Sequence, residues 1–91
     1  MVNYIIYPDM ASATDLLNQI NTCMGYPTDG TDCWMTEPDW MCEFNLTTGD
    51  KTSIGYGILI KEQIKDCLTA QQITEIFELP SNINVCSWSP V

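Results

Sequence analysis

What most constrains this chain is the order of its segments. A β-branched, aromatic run comes first, then an amphipathic helix, an acidic aromatic loop, two strand-like runs, a short helix and a last strand-like run. Together they occupy all 91 residues. A chain of this length is one domain, with a core so small that stability rests on a partner, a bridge or an oligomer.

Residues 2–7, VNYIIY, stop at Pro8, which has no N–H for a ladder, and predict a first strand. Ser12 followed by Asp15 predicts a capped helix start. Leu16, Leu17, Ile20, Cys23 and Met24 then recur at spacings of three and four as one apolar stripe, and Gly25 supplies a left-handed stop. Residues 26–39 carry two prolines and four acids without periodicity, the longest irregular stretch in the chain. Alternation returns from residue 40, with Trp40, Cys42, Phe44 and Leu46 on one face and Met41, Glu43 and Asn45 on the other.

Gly49-Asp50 reads as a hairpin turn into a second strand over 54–60, where Gly55 and Gly57 predict a bulge or a closely approaching neighbour. A separate helical turn is expected over 62–68. Thr69 and Gln72 form a capping box for a helix running to about Leu79, and residues 83–88 read as the last strand. The order β-α-β-β-α-β predicts a single α+β domain over 1–91. It is the ferredoxin-like split βαβ: an antiparallel sheet with its helices on one face, the other face being solvated, paired or bound.

Three lysines and no arginine face twelve acidic residues, a net charge of −9 that repels a phosphate backbone, so nucleic acid is excluded as an expected ligand. Tyr4 and Tyr56 are placed to stack bases in the manner of an RNA-recognition sheet, but the cations that hold the backbone are missing. No segment reaches the length of a membrane span, and the opening residues do not read as a secretory signal, which predicts a chain made and kept in a cytosol. The Asn45-Leu46-Thr47 sequon then has no use.

The five cysteines, Cys23, Cys33, Cys42, Cys67 and Cys86, include no C-x-x-C pair. Their odd number and spacing resemble neither a disulfide framework nor a zinc site, so reduced and mostly buried thiols are expected, with Cys33 exposed.

No histidine is present, which rules out Cys-His and Ser-His-Asp catalysis, and no catalytic residue, cofactor or metal is expected. Asp29-Gly30-Thr31-Asp32 has the oxygen spacing of a calcium loop but lacks the remaining ligands, and reads as a turn. The acids Asp29, Asp32, Glu37, Asp39 and Glu43 read as solvated charge. Tyr26, Trp34, Met35 and Trp40, in or beside the irregular loop, are the expected protein-binding residues, joined by Trp88 near the end of the chain as either core closure or anchor.

The segments YIIYPDMASATDLLNQI, MGYPTDGTDCW and LTAQQITEIFELP resemble a class of small bacteriophage proteins encoded near tail or tail-fibre genes. That resemblance implies a non-enzymatic virion accessory component. It would be made in the host cytoplasm and bound to tail or fibre subunits in symmetric copies, by pairing its last strand or docking through Trp34 and Trp40. The rival expectation is a free acidic inhibitor that presents Asp29, Asp32, Glu37, Asp39 and Glu43 to a basic groove of a host defence complex.

Overall fold

A computed structural model describes residues 2–26 and 37–89. β1 (Asn3–Tyr7) leads into α1 (Met10–Met24), and β2 (Asp39–Phe44) and β3 (Lys51–Leu59) form a hairpin. A 3-10 helix (Glu62–Cys67), α2 (Ala70–Glu75), β4 (Phe77–Glu78) and β5 (Ile83–Val85) follow. The strands make one antiparallel sheet in the order β4-β1-β3-β2-β5, so the molecule is a small α+β domain of mixed helix and antiparallel sheet.

Several elements depart from the sequence pattern for identifiable reasons. α1 begins at Met10, earlier than Ser12 implies, because Asp9 is its cap: the Asp9 carboxylate accepts the Ser12 backbone N–H at 3.0 Å and the Ser12 hydroxyl at 2.9 Å. Gly25 ends the helix as expected, at φ 81°. The Thr69–Gln72 capping box is present, but α2 stops at Glu75 and not near Leu79. Phe77 and Glu78 leave the helix to pair with Tyr4 and Asn3, and the last strand covers only Ile83–Val85.

The sheet curls into a half-barrel. A short connection makes this necessary. Laid flat, β4 and β5 would sit four strand spacings apart, roughly 19 Å. The five residue steps from Glu78 to Ile83 reach roughly 17 Å at full extension, and Pro80 to Ile83 is a turn with the Ile83 N–H on the Pro80 carbonyl at 3.2 Å.

The glycines of β3 permit the curl. The register shifts between Met41 and Cys42. Gly55, at φ 135°, lies so close to Tyr7 that a Cβ would fall 2.1 Å from the Tyr7 carbonyl oxygen. At Gly57 a Cβ would meet the Tyr4 ring at 2.8 Å and Met41 at 3.1 Å.

One sheet face receives α1, where Ile5, Ile58 and Ile60 pack with Leu16, Leu17, Ile20 and Ile64. Farther along β2 the same face carries a second cluster of Cys42, Phe44 and Cys86, closed by Trp88. The opposite face lies inside the curl and is not left open at its centre: Tyr4 and Met41 are 6% and 0% exposed there. Tyr56 lies opposite Tyr7 and so faces α1, away from Tyr4, and the two tyrosines share no base-stacking platform.

The expectation of reduced thiols is overturned. Cys23 is bonded to Cys67 and Cys42 to Cys86, each across 44 residues of sequence. The pairing is invisible to sequence spacing because both bridges join elements distant in the chain: α1 to the 3-10 helix, and β2 to the residue after β5. Cys33 lies outside the described residues.

Candidate functional site

The first strand pairs of the β2–β3 hairpin position the candidate site. Trp40 lies opposite Tyr56 on the face that receives α1, where that helix begins, and precedes Cys42 on the same face. α1 covers the first cluster and Trp88 the second, so Trp40 is left 51% exposed. Its indole N–H donates to the Ser53 hydroxyl at 2.7 Å, which fixes the ring and satisfies its polar edge within the chain.

A cleft of about 330 Å³ opens beside this ring. Trp40, Met10 and Pro38 supply apolar wall, Val85 borders the cleft from β5, opposite Met41, and Glu37 and Asp39 supply the acidic residues. Met10 is itself 41% exposed. The Cys86 backbone closes the floor: its N–H donates to the Trp40 carbonyl at 2.8 Å and its carbonyl accepts Lys51 Nζ at 2.5 Å.

Asp39 is tied inward. Its carboxylate accepts the Tyr4 hydroxyl at 2.8 Å across the curl. Burial, then this hydrogen bond and the negative charge beside it, pushes the Tyr4 hydroxyl well above the usual phenol range. Glu37 is exposed and has no hydrogen bond or ion pair among the described residues.

Of the residues the sequence marks for binding, Glu37, Asp39 and Trp40 meet at this cleft. Glu43 is exposed four residues farther along β2, opposite Thr52 and Ile83. Tyr26, half-buried, follows the far end of α1, roughly 22 Å of helix away from Met10. Trp88 is core closure: it meets Phe44 edge to face with ring centroids 5.0 Å apart and packs against the Cys42–Cys86 cluster. Asp29, Asp32, Trp34 and Met35 lie outside the described residues. Met10 and Val85 carry no sequence signal for the site, since each reads as an ordinary helix or strand residue until the fold brings them to Trp40.

β5 is closed against strand addition. Its outward N–H groups are used within the chain, Ile83 on the Pro80 carbonyl and Val85 on the Asn84 side chain at 2.8 Å. The Val85 carbonyl accepts the Trp88 N–H at 2.9 Å. Pairing through the last strand therefore has little free backbone to use.

Among the described residues no group of three or more His, Cys, Asp or Glu is placed to hold a metal ion, and no helix is long and apolar enough to cross a membrane. Comparison with protein-family models, with curated proteins and with solved structures finds no match to this chain.

Proposed function

We propose that this chain is a non-enzymatic protein-contact domain, a virion accessory component of the tail or fibre kind, that docks through the Trp40 cleft. The observation that carries the reading is Trp40 itself: a large ring held half-exposed while its N–H is already satisfied, beside an exposed methionine. Such rings are the anchors that protein interfaces enrich, and this one has been ordered before any partner arrives. The order β4-β1-β3-β2 supports a ferredoxin-like split βαβ frame for it, with β5 added beside β2.

The two disulfides favour this setting over the free cytosolic inhibitor. Disulfides persist on virion and cell surfaces and in other oxidising spaces, and are rare where thiol reductants are abundant. Synthesis in a host cytoplasm fits if the bridges close after assembly or release. The acidic balance, with a net charge of −9, is what remains in favour of the inhibitor.

Quantitative mass spectrometry of purified particles, with native chain and with Trp40→Ala, tests the proposal. The native chain is expected at a fixed ratio to the major capsid protein. Trp40→Ala, folded with both bridges, is expected to drop by about tenfold or more, the cost of a lost aromatic anchor. Absence from particles together with abundance in infected cells overturns the proposal in favour of the inhibitor.

A further inference from the structure

Among the described residues, the side chains that line the Trp40 cleft offer few unused hydrogen-bond donors. The Trp40 N–H is spent on Ser53, the Val85 N–H on Asn84 and the Cys86 N–H on the Trp40 carbonyl, while Pro38 has none. Among the described residues Ser87 is the one lining side chain with a donor still unused; the charged side chains of the lining are the carboxylates of Glu37 and Asp39, and the Lys51 ammonium lies under the floor, held by the Cys86 carbonyl. A complementary ligand therefore brings donors and positive charge, together with an apolar stem to lie on Met10, which is 41% exposed.

We propose that the cleft receives an arginine side chain of a partner protein, its guanidinium stacked on the Trp40 ring and hydrogen-bonded to Glu37. This rests on the contact role proposed for Trp40. Arginine fits better than lysine because its planar group stacks on an indole face and still presents donors in its own plane to a carboxylate. Asp39, with one oxygen taken by Tyr4, adds negative charge behind the ring. The volume of about 330 Å³ is at the small end for ligand pockets and accommodates one long side chain with its flanking backbone. These 91 residues contain no arginine, so a second copy of them does not supply the occupant.

The test is titration of the ¹⁵N-labelled, disulfide-bonded protein with a capped five-residue peptide carrying one central arginine. The readout is the Trp40 indole N–H signal, assigned by its loss in Trp40→Phe. A saturable shift with affinity in the millimolar range is expected, as for a single anchoring side chain. It should be weaker by about tenfold for a citrulline counterpart, weaker to a similar degree in Glu37→Gln, and reduced as salt rises from about 0.05 to 0.5 M. Glu37 is exposed and outside the core, so its variant tests the contact without testing the fold. Equal binding of citrulline or norleucine peptides, or no shift with arginine, overturns the proposal, and equal binding of a lysine peptide overturns the guanidinium assignment. If Trp40→Ala still abolishes incorporation into particles while the arginine peptide fails to bind, the contact role stands and only this occupant falls.

Discussion

At the scale of single residues, two positions show how the sheet is forced into its shape. Gly55 carries the Tyr7 carbonyl against its Cα and has a φ that side chains avoid, so Gly55→Ala is expected to destabilise the fold by about 3 kcal/mol or more. The denaturant midpoint checks it, and a loss below about 1 kcal/mol would show that the close approach is not tight. Tyr4 gives a pH test. Its folded state holds the phenol proton more tightly than the unfolded chain does, so its contribution is complete below about pH 10 and declines as pH rises beyond that. Tyr7, raised by burial and then by the Glu75 charge, acts in the same direction. The thermal midpoint is expected to fall above about pH 10, and to fall less steeply in Tyr4→Phe; identical slopes would remove Tyr4 from the account. The two glycines were legible in the sequence as a bulge or close approach. The hydrogen bond from Tyr4 to Asp39 was not, because it joins residues 35 apart and follows from the curl.

At the scale of elements, the sequence pattern located the strands and helices wherever local chemistry decides them: the apolar stripe and Gly25 for α1, alternation for β2, and the capping box for α2. It failed where tertiary contact decides. Residues 76–79 continue the helical pattern, yet β1 has a free edge, and pairing with it draws Phe77 and Glu78 out of the helix. The bridges differ in the same way. Cys23 is exposed and Cys67 half-buried at the junction of α1 and the 3-10 helix, whereas Cys42 and Cys86 are 1% and 2% exposed beneath Trp88. Thiol–disulfide exchange requires access to a sulfur. Mild reduction followed by alkylation is therefore expected to label Cys23 and Cys67 well before Cys42 and Cys86, and peptide mapping reads the order. Simultaneous labelling would mean that the second cluster opens as readily as the surface bridge.

At the scale of the whole molecule, the small core makes the two bridges decisive. The thirteen buried apolar residues of the described chain include a cluster of seven under α1, a separate cluster of three around Cys42 farther along the same face, and Tyr4 and Met41 inside the curl, so no single cluster is large. Each bridge closes a loop spanning 44 residues, and the chain-entropy argument assigns such a loop about 4 kcal/mol of denatured-state restriction. The two do not simply add. Cys42 lies between Cys23 and Cys67, and Cys67 lies between Cys42 and Cys86, so the loops overlap over 42–67 and the second closes in a chain the first has already shortened. Removing Cys23–Cys67 by paired serine substitution is accordingly expected to cost about 2–4 kcal/mol and leave a folded protein. Removing Cys42–Cys86 by paired alanine substitution costs that and leaves a cavity under Trp88 besides, so it is expected to be the more damaging change. Loss of both should leave the chain largely unfolded at 37 °C, since a domain of this size has only about 5–10 kcal/mol to lose. Calorimetry of the three variants, with the Trp40 indole signal as the report on the site, checks the ranking. If the double variant stayed folded with a sharp transition, the curled sheet would be holding itself together without the bridges.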